Sequence, residues 1–171
     1  MVNESEFPLF DLNDLTVFDL TGDGSNRIEI LTGIGALGIG DYEFALDGGP
    51  YQDSPIFEDV PPGIHQVSVR DKNGCGTKSV AASVIGYPLY FTPNGNGQDD
   101  NWQVLGVNGV FQSQSLIYIF DRHGRLLAQI APDGPGWDGT YNGTPMPADD
   151  YWFRVGLEDG RTFTGHFSLI R

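Results

Sequence analysis

The sequence predicts an all-β protein built of antiparallel sandwiches, and three observations carry that prediction. Strand-like runs recur at short intervals along the 171 residues. No segment keeps the 3.6-residue apolar period of a helix. The runs are broken apart by 24 glycines and 11 prolines. Charge then divides the chain: residues 1–86 hold 4 basic and 14 acidic side chains, and residues 87–171 hold 5 basic and 9 acidic. This shift in composition puts a module boundary near Gly86.

The first module offers five strands, Leu15–Leu20, Arg27–Thr32, Tyr42–Leu46, His65–Arg70 and Thr77–Ile85. In the third, Tyr42, Phe44 and Leu46 share one face with Glu43 opposite. In the fourth, His65, Val67 and Val69 alternate with Gln66, Ser68 and Arg70. Period-2 alternation of this kind marks half-buried antiparallel strands. Asp47-Gly48-Gly49 is a hairpin turn signal, and Pro61-Pro62-Gly63 forces a turn ahead of the His65 strand.

The second module offers Leu89–Phe91, Trp102–Leu105, Leu116–Asp121, Arg125–Ile130, Tyr151–Leu157 and Thr162–Leu169. Leu116, Tyr118 and Phe120 lie opposite Ile117 and Ile119, so this strand is apolar on both faces and is expected to be central and buried. Asp121–Arg125 is a tight hairpin turn that needs positive φ at Gly124. Tyr151, Phe153, Val155 and Leu157 form one face, with Trp152 and Arg154 opposite. About six or seven such strands make a compact sandwich.

Composition excludes several functions. A formal net charge of −14 makes nucleic acid and anionic membrane surfaces poor partners, because both demand clustered Lys and Arg. It suits a solvated extracellular surface or the binding of divalent cations. No apolar run is long enough to insert into a membrane. The start, MVNESEFPLF, has neither the basic nor the apolar region of a signal peptide. The single cysteine, Cys75, allows no intramolecular disulfide and is expected to be a semi-buried thiol, with an intermolecular disulfide as the alternative.

Two stretches are rich in oxygen ligands. In Phe91–Trp102, FTPNGNGQDDNW, the side chains of Asn94, Asn96, Gln98, Asp99 and Asp100 crowd into one turn that Gly95 and Gly97 allow to be sharp. The segment is either a Ca²⁺ site, since Ca²⁺ takes six to eight oxygens, or a network of Asx turns closing onto Trp102. Asp19, Thr21 and Asp23 alternate in a second loop. Ile30 stands where an EF-hand needs its twelfth-position Glu, which favours a plain loop.

Four motifs in order carry a specific resemblance. They are FTPNG with its trailing Trp (Phe91, Thr92, Pro93, Asn94, Gly95, Trp102); FDRHGR (Asp121, Gly124); GWDG followed by PADDYW (Gly136, Trp137, Asp138, Gly139, Tyr151); and the terminal GHFSLIR (Gly165, His166, Phe167, Arg171). Together they resemble the gliding-motility-associated C-terminal domain of Bacteroidetes, the type B sorting domain of type IX secretion. The segment from Tyr42 to Gly76 is similar to the immunoglobulin-like modules of large bacterial surface proteins.

These resemblances imply two tandem immunoglobulin-like antiparallel β-sandwich domains, a spacer at 1–86 and a sorting domain at 87–171. They imply that the chain is the C-terminal piece of a longer secreted parent. Its partners would then be the outer-membrane components of the type IX machinery and the parent's N-terminal domains, and its destination the cell surface or the medium. The motif residues would shape a folded signal, with the final strand as the contact region. The family usually carries Asp where Asn96 stands and Asn-Asp where Asp99-Asp100 stand, so this loop has a changed charge pattern.

No enzyme signature is present. His65, His123 and His166 are far apart and fall in no metal-spaced or nucleophile motif, and Asp149-Asp150 reads as strand entry rather than a carboxylate pair. The chain is therefore expected not to be an enzyme. The competing class is an adhesin that grips carbohydrate or host protein with Trp137, Tyr141 or the acidic loops. Exposed aromatics would favour the adhesin, and burial of Trp102, Trp137 and Trp152 would favour the signal.

Overall fold

The computed structural model describes residues 5–20, 25–33 and 35–171. Thr21 and Asp23 of the second oxygen-rich loop lie outside them. The chain divides into two compact units, Met1–Val84 and Ile85–Arg171. Both are all-β; the only helical piece among the described residues is a 3₁₀ turn at Leu12–Asp14.

The first unit contains β1 (Leu15–Phe18), β2 (Arg27–Ile30), β3 (Tyr42–Leu46), β4 (Ile56–Phe57), β5 (Gly63–Asp71) and β6 (Thr77–Val84). They form two antiparallel sheets ordered β1-β2-β4 and β3-β5-β6. Ile28, Ile30 and Phe57 from the first sheet share one cluster with Phe44, Val67, Val69, Ala82 and Val84 from the second, closed by Phe10, Leu37 and Val60. Two sheets with a common apolar core are the sandwich that the alternation in β3 and β5 predicts. Asp47 and Gly48 both take positive φ, 51° and 71°, and the Gly49 N–H donates to the Leu46 carbonyl at 2.9 Å. This is the hairpin turn expected there.

Carboxylates brace the loops of this unit. His65 is buried and bridges Asp47 (Nδ1 to Oδ2, 2.7 Å) and the Pro61 carbonyl (Nε2, 2.7 Å). Burial works to raise the Asp47 pKa. The bonds from the His65 ring and the Gln66 N–H overcome it and leave the carboxyl below its ordinary value. Asp71 is 1% exposed and accepts from the Ser5 hydroxyl and, at 3.0 Å, from the Cys75 N–H. The Ser5 bond is the main cause that brings its pKa down to about 2, against the opposing effect of burial. Cys75 itself is exposed, not semi-buried, because its turn projects from the end of β5. Its Sγ donates to the Ser5 carbonyl at 3.1 Å.

The second unit contains β7 (Tyr90–Phe91), β8 (Leu116–Phe120), β9 (Leu126–Ile130), β10 (Thr140–Tyr141), β11 (Thr144–Pro145), β12 (Asp149–Gly156) and β13 (Thr162–Leu169). Five of them make one sheet ordered β7-β13-β12-β8-β9, antiparallel except for the short β13–β7 pair, and β10–β11 is a small hairpin. Tyr151, Phe153, Val155 and Leu157 are buried as the alternation requires. Asp121 closes the β8–β9 turn, with Gly124 at φ +77° and its N–H on the Asp121 carbonyl.

Two expectations about this unit are corrected. Trp102–Leu105 is not a strand; it meets its neighbours only at single bridges, Trp102 with Trp137 and Leu105 with Gly86. Gln103 is the reason. Its side-chain oxygen takes the Val104 N–H, and its amide nitrogen donates to the Ala131 carbonyl at 2.9 Å, so side-chain bonds replace the ladder. Also, β8 is buried on one face only: Ile117 and Ile119 are fully buried, whereas Leu116 is half exposed and Tyr118 and Phe120 are intermediate. The sheet has one covered face and one open face, so lateral neighbours on both sides do not bury both faces.

Candidate functional site: the terminal strand and the loops clamped to it

The motif residues of the second unit converge on Phe167. This side chain is fully buried in β13, and five aromatic rings surround it. Trp102 stacks on it with centroids 4.1 Å apart and planes 14° from parallel. Phe91, Trp137, Tyr151 and Phe153 approach at 5.8, 6.1, 6.3 and 6.4 Å. Alternation on β12 supplies Tyr151 and Phe153; the two tryptophans come from irregular backbone. Their polar atoms are satisfied locally, with Trp102 Nε1 on the Pro88 carbonyl (2.9 Å), Trp137 Nε1 on the Thr140 carbonyl (2.8 Å) and the Tyr151 hydroxyl on the Pro147 carbonyl (2.8 Å). Burial pushes the Tyr151 pKa up.

The two tryptophan segments are tied backbone to backbone, since Trp102 and Trp137 exchange N–H···O bonds of 2.9 and 2.8 Å. That approach requires glycine before Trp137. Gly136 has φ +91°, and a Cβ there would lie 2.4 Å from the Trp102 carbonyl oxygen. Gly165 serves the same cluster sterically, because a Cβ would meet the Phe153 ring at 2.6 Å. Gly139 packs against Leu169, Pro93 and Phe91. Asp138 accepts from the N–H and hydroxyl of Thr140, at 2.9 and 2.8 Å, and so shapes the GWDG turn.

The Asn94–Asp100 loop is organised around Asp100. Its Oδ1 accepts from the N–H groups of Asn94 (2.9 Å) and Gly95 (2.6 Å), and its Oδ2 from Gly97 (2.6 Å). Asn94 Oδ1 accepts from Asn96 N–H and Asn96 Oδ1 from Gln98 N–H, at 3.0 and 2.8 Å. The N–H groups of Gly97 and Gly95 are the chief reason that the Asp100 pKa is lowered. The loop is therefore a set of Asx turns closed by a carboxylate. A cation would compete with backbone N–H groups for Asn94, Asn96 and both Asp100 oxygens, leaving only Gln98 and Asp99 uncommitted. Among the described residues, no group of three or more His, Cys, Asp or Glu side chains is placed to hold a metal ion.

The chain end is fastened back onto these loops. Arg171 donates from Nε to the Met146 carbonyl at 2.9 Å and from Nη2 to the Gly139 carbonyl at 3.3 Å. Thr92 N–H donates to the Asp99 carbonyl, and the Ile170 N–H to the Phe91 carbonyl. Three of the residues singled out in the sequence, Asp121, Gly124 and His166, stand apart from the cluster, the first two in the β8–β9 turn. Asp121 sits at the β8–β9 turn, accepting from His123 N–H, Arg125 N–H and Arg125 Nε. His166 is exposed on the sheet's other face, 6.4 Å from Trp152. Trp137 is 3% exposed and Trp102 fully buried, so neither can stack on a ligand, whereas Trp152 is 42% exposed. Sequence reasoning missed Phe153 as a cluster member, although its place on the Tyr151 face was the signal.

Residues 85–169 match the family described as the CHU_C type IX secretion signal domain. The second unit belongs to that family. A type IX signal directs export across the outer membrane, which makes this chain an exported one that carries its address in residues 85–169. No helix among the described residues is long and apolar enough to cross a membrane. Nothing among curated proteins matches the chain. Two solved structures are similar at a low level. One is a biofilm-associated protein BSP domain, with 14% identity, a TM-score of 0.31, and 91% of this chain covered against 29% of that one. The other is dimeric latent PorU from Porphyromonas gingivalis, with 13% identity, a TM-score of 0.33, and coverage of 91% and 20%. The chain spans less than a third of either, and likeness at this level says nothing of function.

Proposed function

We propose that the second unit is read as a folded surface by an outer-membrane component of the type IX machinery, and that the open edge of β13 is the surface read. The match over residues 85–169 carries the sorting role. The edge is supported by strand pairing. β12 flanks β13 along its whole length, but β7 pairs with it at Ser168 and Leu169 only. Among the described residues no strand lies beside Thr162–Phe167 on that side. The Ser168 N–H points outward to the Leu89 carbonyl, so by the period of two the N–H groups of Thr164 and His166 point outward as well. An exposed edge of this kind accepts an added strand.

The first unit serves as a spacer between the address and the passenger it exports, and the chain itself performs no catalysis. The Asn94–Asp100 loop acts as a structural brace, not as a calcium site. Export delivers the passenger to the cell surface or the medium.

The test is an export assay. The full chain is placed behind a signal peptide and a fluorescent reporter, in a host with and without its type IX apparatus. Signal is expected outside wild-type cells and trapped in the mutant; export from the mutant would overturn the sorting role. Thr164→Pro removes one outward donor without touching the β12 ladder and is expected to block export while the tryptophan emission of the folded unit persists. Wild-type export of that variant would remove the edge from the mechanism and leave the sorting role standing.

A further inference from the structure

The open face of the five-stranded sheet is unlike an ordinary solvated one. Cross-strand register aligns Leu126, Phe120, Trp152 and His166 in one row across β9, β8, β12 and β13, and Tyr118, Arg154 and Thr164 in the next. Leu126 is 47% and Trp152 42% exposed. Phe120, Trp152 and Arg154 line a depression of about 360 Å³. Exposed aromatic side chains beside an arginine are the composition of an interface core, not of a rim.

The charges on this face form a pattern. The outward positions of β12 are Asp150, Trp152 and Arg154. The Asp150 carboxylate accepts from the Ser168 hydroxyl at 2.6 Å and meets no cation among the described residues. The Arg154 guanidinium lies 5.4 Å from the centroid of the Tyr118 ring, and no carboxylate reaches it there. Two opposite charges, neither in an ion pair among the described residues, thus stand two residues either side of a central tryptophan on one strand.

That arrangement is self-complementary. A two-fold axis lying between two facing sheets, perpendicular to β12 and passing over Trp152, sets Arg154 of each copy against Asp150 of the other. The aromatic row is then enclosed between the two charge pairs. Isologous contacts have this reciprocity, with i meeting j and j meeting i. Sheets packed face to face keep their strands nearly aligned, which the pairing needs.

We propose that this face is a self-association surface whose occupant is a second copy of the chain. A uniformly acidic partner would satisfy Arg154 but confront Asp150 with like charge, and an anionic membrane would do the same. The net negative charge of the second unit is modest, and it is screened beyond about 8 Å at physiological ionic strength.

Sedimentation equilibrium of the full chain over a concentration series tests this. The wild type is expected to dimerise. Arg154→Asp and Asp150→Arg should each weaken the dimer by at least about tenfold, because each places two like-charge pairs in the interface. The double variant Asp150→Arg with Arg154→Asp should restore it. Both positions of this cycle are surface charges, and circular dichroism confirms that each variant is folded. A chain that stays monomeric up to roughly 1 mM, a dimer indifferent to both single reversals, or a double variant that fails to recover would each overturn the proposal.

Discussion

The two units are both all-β and both acidic, yet they are held together differently. The first joins two sheets through a mainly aliphatic core, Ile28, Ile30, Val67, Val69 and Val84 with Phe44 and Phe57, and its loops are braced by single carboxylates. The second surrounds one residue of its last long strand with five aromatic rings, two of them carried by irregular backbone. An aliphatic sandwich places no special demand on its ends. The aromatic clamp makes the shape of the chain's end depend on residues as distant as Phe91 and Trp102.

The sharpest way to break this contrast is to truncate each core. Phe167→Ala is expected to lose about 3–5 kcal/mol. All three tryptophans lie in the second unit, so the loss appears as an earlier urea transition in tryptophan fluorescence. Ile28→Ala should cost the first unit about 2–5 kcal/mol, seen in the circular dichroism transition while the tryptophan transition keeps its midpoint. A common shift of both signals by either variant would show one cooperative body and dissolve the comparison.

Smaller effects sharpen it. Gly136→Ala combines a left-handed φ with a clash against the Trp102 carbonyl and should cost about 1–3 kcal/mol, read as a lower melting temperature in tryptophan emission. Acid should act on the first unit through Asp71. Its folded pKa of about 2 lies below the ordinary 3.8, so the unfolded chain takes up the proton first. The stability it lends is whole above about pH 4 and fades as pH falls toward about 2. Asp71→Asn should flatten this part of the pH profile of the urea midpoint. The smallest expected effect is that of calcium. With Asp100 committed to three backbone N–H groups, melting temperatures in millimolar Ca²⁺ and in chelator should coincide, and a rise with Ca²⁺ would restore the metal reading of the loop.

Much of this architecture was legible along the chain. Tyr42–Leu46 and Thr162–Leu169 are strands with the bounds that alternation sets, because a strand with one wet face writes its period into its residues. The same rule put Trp152 and Arg154 opposite Tyr151 and Phe153, where they are found. Short strands left no such record. Ile56–Phe57, Thr140–Tyr141 and Thr144–Pro145 have two residues each, too few to show a period, and partners far along the chain or across a turn define them. Trp102–Leu105 failed for the opposite reason: Trp102 and Val104 are buried, but the side chain of Gln103 takes over the bonding that a ladder would supply.

The all-β class of fold, the acidic balance and the four motifs that place the second unit in its family could be read from the residues alone. These are local or compositional properties, readable without knowing what touches what. It took the folded arrangement to show that Phe167 is the hub of the aromatic cluster, that both Asp100 oxygens accept from backbone N–H groups, and that the Trp152 face is open with Asp150 and Arg154 in no ion pair among the described residues. Each of these depends on contacts between residues distant in the chain, or on which groups have found a partner, and pairing of that kind is settled by packing rather than by residue type.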